Sequence, residues 1–228
     1  MITKIKKFLR KIYREIFRVY ITKEFTNSSE YWERRYYYGG NSGRGSYFKS
    51  AKFKANYLND IVLKNNLNCI IDIGCGDGNN FSLFKISNYI GIDPSETIIT
   101  ANRNKFLNDE NKIFYLLKEN QHSLTKEINA NKDIKNSLII SFDVILHLVE
   151  DNVYKDHLNF INDINAEYCL VVSSDECIDY NYSIPHVKHR NFSKDLSNYG
   201  WNNISSTKIP DCPDKRVISF FIRNLSNT

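Results

Sequence analysis

The sequence predicts an α/β fold built on a mostly parallel sheet, and three observations lead to this prediction. The apolar run Cys69–Ile73 is short, rich in isoleucine and followed by glycine, as in buried parallel strands. A second apolar run, Ile90–Asp93, ends in an acid 21 residues after Asp72. Further apolar runs alternate with helical patterns along the chain, which is typical of βαβ units.

Length and composition favour a single domain of this kind. The chain has 228 residues (26.7 kDa), of which 42% are hydrophobic. Its five cysteines include no Cys-x-x-Cys pair, which argues against a disulfide framework or a structural zinc and favours a reducing cytosol. Neither a signal sequence nor a run of about 20 apolar residues is visible, so we expect a cytoplasmic protein.

Residues 1–25 are predicted to form a basic amphipathic helix that precedes a main domain of residues 26–228. Apolar residues recur every three or four positions up to Tyr20, and residues 1–20 hold seven lysines and arginines but one acid. The remaining chain has 24 basic and 25 acidic residues, which disfavours nucleic acid as a partner. Three roles are open for the helix: peripheral binding to the inner face of an anionic membrane, docking to a partner enzyme, or packing on the domain or on a second copy.

Residues 28–47 combine aromatic side chains with a glycine-rich segment. Ser28 and Ser29 are candidate caps of a helix, and four of the nine glycines follow within residues 39–47. We interpret 39–47 as a lid over a ligand pocket; the alternative is a flexible surface linker. The candidates for apolar cover are Tyr31, Trp32, Tyr38 and Tyr47, and Arg44 is the candidate for binding an anionic group of the substrate.

The next helix is predicted over residues 47–64, with Lys52 and Lys54 in solvent. The strand at Cys69–Ile73 then leads into glycines at positions 74, 76 and 78, which let the backbone turn tightly and lie against a ligand. The start of a helix after such a loop favours polar or anionic ligand groups. The dinucleotide fingerprint is absent, because it needs a glycine where the chain has Asn79.

The pattern Asp72-x-Gly74-x-Gly76-x-Gly78, with Asp93 after the next strand, resembles motif I of the class I S-adenosylmethionine (SAM) methyltransferases. The resemblance implies a Rossmann-like sheet of seven strands, mostly parallel with the last antiparallel, with helices on both faces, and SAM as the cofactor. Asp72 would bind the methionine ammonium, directly or through water; alternatively it is a strand-end acid that caps the turn. The implied cofactor-binding residues are Asp72, Gly74, Cys75, Gly76, Asp93, Pro94 and Asp143.

A helix is predicted to open near Pro94, and a third strand over residues 112–117. The apolar run at 137–142 predicts a fourth strand. The residues that follow it resemble motif IV of the same family, in the pattern Asp143-Val-x-x-His147-Leu. Since ligands lie beyond the carboxyl ends of parallel strands, we expect Asp143 and His147 near the transferred methyl group. Asp143 would hold the geometry of the site around that methyl group or contact the SAM amino group. His147 is the candidate general base, or else a structural histidine bonded to the backbone.

A helix is predicted over 151–164, with His157 in solvent, and a fifth strand over 168–174. A basic cluster then follows, formed by His186, Lys188, His189 and Arg190. Lys188 and Arg190 are candidates for binding an anionic substrate, since arginine offers a planar fork to oxyanions. His186 and His189 are reserve candidates for the base. The alternative is that this cluster is a basic loop on the surface without a binding role. A metal site formed by the histidines with Asp175 or Glu176 is a weaker alternative, so no metal is predicted.

A short helix from Phe192 and two strands, over 201–209 and 216–223, are predicted to complete the fold. Together, the motifs and the resemblance favour a SAM-dependent O-methyltransferase with a small, polar and anionic acceptor. The string Tyr31-Trp32…Gly-Gly-Asn-Ser-Gly-x-Gly-Ser-Tyr47 also resembles bacterial methyltransferases encoded among surface-polysaccharide genes, and this resemblance runs from about Ser28 through the last strand. That resemblance implies an acceptor from capsule assembly: a sugar nucleotide, a sugar hydroxyl or a phosphoramidate-type group. The alternatives are a SAM-binding protein without turnover, an enzyme that uses SAM differently, and a methyltransferase for another small metabolite.

Overall fold

The computed structural model describes residues 25–118, 121–131, 134–176, 184–212 and 215–224. The predicted basic helix at the N-terminus therefore lies outside the described residues. No helix within the described ranges is long and apolar enough to cross a lipid bilayer.

Seven strands form one sheet in the spatial order β3-β2-β1-β4-β5-β7-β6. Strands β1 to β5 pair in parallel with their neighbours, whereas β7 runs antiparallel to both β5 and β6. This arrangement confirms the predicted fold class, including the antiparallel pair at the end of the chain. The strands are β1 (Cys69–Ile73), β2 (Asn88–Asp93), β3 (Lys112–Leu116), β4 (Ser137–Phe142), β5 (Tyr168–Ser173), β6 (Trp201–Lys208) and β7 (Val217–Arg223).

Helices flank the sheet; the one over Gln121–Asn129 was not predicted, whereas the others begin close to their predicted starts. They are α1 (Ser28–Tyr37), α2 (Phe48–Lys64), α3 (Glu96–Lys105), α4 (Gln121–Asn129), α5 (Asp151–Asp163) and α6 (Phe192–Ser197). Side-chain caps set three of the starts. Asn27, and not the predicted Ser28 or Ser29, accepts a hydrogen bond from the Glu30 amide; Ser95 accepts one from the Ile98 amide, and Asn191 one from the Lys194 amide. Pro94 thus precedes the cap of α3 rather than lying in its first turn. After β1 there is room only for a short 3₁₀ turn, Phe81–Leu83.

Apolar side chains cover both faces of the sheet. All five positions of β1 are buried, with Ile71 in the cluster on one face and Ile70 in the cluster on the other. Helix α5 packs Leu158 against the first cluster, and α2 packs Leu58 against the second. Burial on both faces explains why the central strands have continuous apolar sequences rather than alternating ones.

Two side chains predicted to lie in solvent are in fact buried. Lys54 is 0% exposed and pairs with Asp143, and His157 is 6% exposed with its Nε2 3.0 Å from Ser141 Oγ. Lys54 lies four residues before Leu58, so helical periodicity already places it on the apolar face. Each polar group is tolerated there because a buried partner satisfies it.

The strand order changes direction between β1 and β4, which makes this point the switch point of the sheet. The chain leaves the two strands toward opposite sides, so a crevice opens beyond their carboxyl ends. The loops after β1, β2 and β4 all meet at this edge.

Candidate active site

A cavity occupies the crevice at the switch point and encloses about 930 Å³, its open mouth included. Its floor consists of strand ends and the loops that follow them: Ile73, Gly74, Cys75, Asp93, Pro94, Phe142, Asp143 and Val144. Helix α1 and the glycine-rich segment add Ser28, Ser29, Trp32, Tyr36, Ser42 and Ser46. The remaining lining residues are Asn80, Leu117, Gln121, His147, Leu148, Val153 and His157. The concave, largely apolar lining with a few polar groups at the strand ends is typical of a site for a small molecule or a nucleoside-type cofactor.

Asp93 is fixed at the end of β2 by two backbone amides. Its Oδ2 accepts a hydrogen bond from the Gly76 amide and its Oδ1 one from the Ser95 amide, each at 2.9 Å. Burial raises the pKa of Asp93 to about 6, although the two amide hydrogen bonds oppose this shift. Each carboxylate oxygen keeps a second lone pair, so the side chain can still accept hydrogen bonds from a ligand diol.

The glycine loop requires glycine for steric reasons at two positions. Gly74 has φ +87°, and a Cβ there would lie 2.3 Å from Val144 Cγ2. Gly76 has φ +53°, and a Cβ there would lie 2.3 Å from Ser42 Oγ. The loop backbone is therefore packed closely between the loop after β4 and the glycine-rich segment.

Asp72 is buried beneath the loop rather than among the residues that line the cavity. It is 3% exposed, and its Oδ2 accepts a hydrogen bond from the Tyr89 hydroxyl at 2.7 Å. Burial raises the pKa of Asp72 to about 7, with the Tyr89 hydrogen bond acting in the opposite direction. Its contact with a ligand ammonium stays a prediction.

Asp143 lies between two cations at the end of β4. Lys54 Nζ is 2.6 Å from Oδ2, and an Arg216 guanidinium nitrogen is 2.6 Å from Oδ1. Burial opposes ionisation, but the two cations outweigh it and lower the pKa of Asp143 to about 2. Gly45 approaches so closely that a Cβ there would lie 2.4 Å from Oδ2 of Asp143. The carboxylate therefore joins the end of β4, α2, the residue before β7 and the glycine-rich segment.

Helix α1 is held over the cavity by hydrogen bonds at both of its ends. Ser28 donates its amide and hydroxyl to Glu150. In the second half of the helix, Glu33 accepts hydrogen bonds from the hydroxyls of Ser95 and Thr97, at the start of α3. The helix thus bridges the loop before α5 and the loop after β2, which places Trp32 above the cavity.

The predicted lid, residues 39–47, packs on the glycine loop. The Ser42 amide and the Tyr47 hydroxyl both donate to Oδ2 of Asp77, at 3.0 and 2.7 Å. Ser42 and Ser46 line the cavity, whereas the predicted contacts Tyr38, Arg44 and Tyr47 are not among the lining residues. The segment forms a wall of the cavity; that it opens and closes as a lid stays a prediction.

His147 lines the cavity next to Val144 and Leu148, and His186 orients its ring. Nδ1 of His147 is 2.9 Å from the His186 carbonyl oxygen. The two imidazole rings stack with centroids 5.6 Å apart, and Trp32 packs edge-on against His147 at 5.0 Å. Burial lowers the pKa of His147 to about 4, despite the opposing hydrogen bond to His186.

The rest of the basic cluster is engaged elsewhere. Lys188 and Arg190 both contact Oδ1 of Asp151, each at 2.7 Å, and neither lines the cavity. His189 lies 2.6 Å from Ser174 Oγ, which also leaves it outside the lining. Within the described parts of the chain, no group of three or more histidine, cysteine or acidic side chains is arranged to hold a metal ion.

Of the predicted site residues, seven line the cavity: Trp32, Gly74, Cys75, Asp93, Pro94, Asp143 and His147. The sequence reasoning missed four groups: Ser28, Tyr36, His157 and the two cations on Asp143. Helical periodicity was an available signal for His157, which lies three residues after buried Tyr154 and four before Ile161. Arg216 offered no signal, because its partner is 73 residues away along the chain.

Methyltransferases of solved structure share this fold. The N-methyltransferase NodS from Bradyrhizobium japonicum, in complex with S-adenosyl-L-homocysteine, aligns over 87% of this chain and 100% of its own, with 11% identity and a TM-score of 0.67. Magnesium protoporphyrin IX methyltransferase from Synechocystis, with bound SAM, aligns over 86% and 92%, with 15% identity and a TM-score of 0.56. A match to the CurJ carbon methyltransferase covers 76% of this chain but 54% of the other, with 13% identity and a TM-score of 0.55.

At these identities the likeness shows the fold, which is the Rossmann-like methyltransferase fold. No protein-family model matches the sequence, and no curated protein matches it.

Proposed function

We propose that the chain is a SAM-dependent methyltransferase that acts on an oxygen of a small polar acceptor. The observation that carries this proposal is the position of Asp93, which lines the cavity beside the glycine loop while two backbone amides fix both of its oxygens. A carboxylate held in this way suits the ribose diol of SAM. The neighbours solved with SAM or S-adenosyl-L-homocysteine support the same cofactor.

The cavity fits the other parts of such a cofactor. Pro94 and Leu117 offer apolar surface beside Asp93, where an adenine ring would lie. The glycine loop leads from there toward Asp143, which suits the methionine end. The bound sulfonium supplies an activated methyl group, so the chain's own task is to align the acceptor and exclude water. Helix α1 and the segment 39–47 would provide that exclusion.

His147 is the proposed base for a hydroxyl acceptor. Its Nδ1 faces a carbonyl oxygen, which only accepts, so the ring proton is on Nδ1 and the lone pair is on Nε2. A proton leaving the acceptor oxygen would pass to Nε2. A role in surface-polysaccharide or capsule synthesis is part of the proposal on the strength of the sequence resemblance alone.

Calorimetric titration with S-adenosyl-L-homocysteine tests the cofactor assignment. We expect micromolar binding by the wild type, and at least a tenfold loss in Asp93→Ala, about 1.4 kcal/mol or more. Asp156→Ala, an exposed carboxylate on α5, is the matched control and should bind as the wild type does. Circular dichroism melts would establish that each variant is folded. A folded wild type that does not bind would refute the assignment.

A further inference from the structure

The ring of His147 is oriented by a segment of the chain that has no regular secondary structure of its own. Nδ1 of His147 lies 2.9 Å from the His186 carbonyl oxygen, and His186 belongs to residues 184–190, which lie outside the helices and strands. The backbone of this segment is tied to the loop after β4 by the Lys188 amide, which donates to the Leu146 carbonyl oxygen at 2.9 Å. The position of the carbonyl that His147 faces therefore depends on what holds the His186 side chain.

A tyrosine of helix α1 holds that side chain. Tyr31 stacks on the His186 imidazole, with ring centroids 4.4 Å apart and an angle of 14° between the ring planes. The Tyr31 hydroxyl lies 3.3 Å from Nε2 of His186, and it accepts a hydrogen bond from the Arg35 guanidinium, one turn further along α1, at 3.3 Å. Because Tyr31 is only 5% exposed, its ring has little freedom to move away from His186.

The stack of Tyr31 on His186 belongs to a closed circuit of four rings. The His186 and His147 rings lie 5.6 Å apart, and Trp32 packs edge-on against both His147, at 5.0 Å, and Tyr31, at 5.4 Å. Burial lowers the pKa of both imidazoles, and the Arg35 guanidinium lowers that of His186 further. The two rings are therefore uncharged at neutral pH and stack without repulsion, and aromatic contacts of this kind favour defined ring orientations.

Helix α1 is a firm support for Tyr31, since the hydrogen bonds of Ser28 and Glu33 hold both of its ends. Neither Tyr31 nor His186 is among the residues that line the cavity. Any influence of these two side chains on a bound acceptor must therefore pass through His147, which does line it.

We propose that Tyr31 is a positioning residue for His147: by stacking on His186, it fixes the carbonyl oxygen that keeps the proton of His147 on Nδ1. This inference rests on the proposed function, in which His147 is the base, and deepens it, because it makes the tautomer of that base depend on α1. A carbonyl oxygen only accepts hydrogen bonds, so the nitrogen that faces it must carry the proton. Release of the His186 ring would let this carbonyl move, and His147 would then populate both neutral tautomers.

Side-chain ¹⁵N NMR of the protein saturated with S-adenosyl-L-homocysteine reads the His147 tautomer directly, with His147→Gln to assign the signals. In Tyr31→Leu we expect the ratio of the two neutral tautomers to shift by about threefold to tenfold, which is the bias that one hydrogen bond of ordinary strength gives. Tyr31→Phe retains the stacked ring and should keep the wild-type ratio. Tyr37→Leu, which replaces a 70% exposed tyrosine of the same helix, is the matched control and should also keep it.

A wild-type ring protonated mainly on Nε2 would overturn the inference, as would an unchanged tautomer ratio in folded Tyr31→Leu. A shift of equal size in Tyr31→Phe or in Tyr37→Leu would overturn it as well. If Tyr31→Leu does not fold, His186→Ala tests the same step, because it removes the stacked ring but keeps the backbone carbonyl; the same shift is expected there, and its absence counts against the inference. The measurement needs no acceptor, so absent cofactor binding by the wild type, which would refute the proposed function, is a separate outcome.

Discussion

Replacing Asp143 with asparagine should destabilise the fold far more than removing either of its cationic partners. Asp143 is held at 2.6 Å by both Lys54 and Arg216, and the exposed fractions of the three side chains are 9%, 0% and 14%. Asp143→Asn would leave two buried cations facing each other without a counter-charge. Asparagine suits the backbone, since Asp143 has φ +60° and asparagine tolerates this left-handed conformation.

The expected magnitude follows from the structure in two ways. The difference between a pKa of 3.8 and one of about 2 for Asp143 corresponds to about 2.5 kcal/mol. Breaking a buried ion pair by removing one partner costs about 3–5 kcal/mol. Lys54→Met, in contrast, leaves a balanced Asp143–Arg216 pair and should cost less than about 2 kcal/mol. The double variant should recover at least about 1 kcal/mol relative to Asp143→Asn, because only one cation remains.

Equilibrium unfolding in urea, followed by circular dichroism, measures these differences as shifts in midpoint at constant slope. If Asp143→Asn lowers the stability so far that it does not fold alone, the double variant still reports the rescue as recovery of folded protein. Equal losses of unfolding free energy in Lys54→Met and Asp143→Asn, or a double variant no more stable than Asp143→Asn, would refute the reasoning that charge balance stabilises this site.

Three further predictions concern the cavity and the glycine loop with the carboxylate buried beneath it. His147→Gln should lower kcat by about 10²–10⁴-fold and leave S-adenosyl-L-homocysteine affinity within about threefold. The His147 ring of the wild type should not titrate between pH 6 and 8 in side-chain ¹⁵N NMR, because its pKa is about 4; a His147 transition near pH 6.5 would contradict this. The pKa of Asp72, raised to about 7, means that the folded state binds the extra proton between about pH 4 and 7, so stability falls as pH rises through this window. Asp72→Asn should therefore be more stable than the wild type by roughly 2–4 kcal/mol at pH 8 but equal to it near pH 4. A difference between the urea midpoints of variant and wild type that is the same at both pH values would contradict this. Gly74→Ala should abolish cofactor binding, because the added Cβ would clash with Val144. Gly200→Ala is the control: Gly200 has φ +81°, so alanine carries the same backbone strain there, but no atom lies within 4 Å of its Cβ and the variant should bind the cofactor normally. Equal cofactor affinities of the two variants would count against a steric role for Gly74.

Local patterns were sufficient to predict most strands, the glycine loop and the acid after β2, whereas the seven-strand sheet and the cofactor were implied by the family resemblance. The run at Cys69–Ile73, the glycines after it and the acid that ends β2 are each set by a few neighbouring residues. The strands that carry them are buried on both faces, so their sequences show little besides apolar residues. For the same reason Asp93 stood out as an acid at the end of an apolar run, and the structure places it in the cavity.

The charge pairings at and around the cavity could not be predicted from such patterns, because they join distant positions of the chain. Lys188 and Arg190 are a basic cluster in the sequence, but in the fold both contact Asp151, which lies 37 and 39 residues away. Lys54 has an ordinary helical position in the sequence, yet it meets Asp143 across 89 residues.

The sequence by itself determined the order of strands and helices, the glycine loop and the acid after β2, since these depend on local propensity and periodicity. Only the tertiary structure decided which charges reach the cavity and which are cancelled by partners. The physical reason is that burial and ion pairing depend on distances of a few ångströms between groups far apart in the chain, and these distances exist only once the sheet has formed.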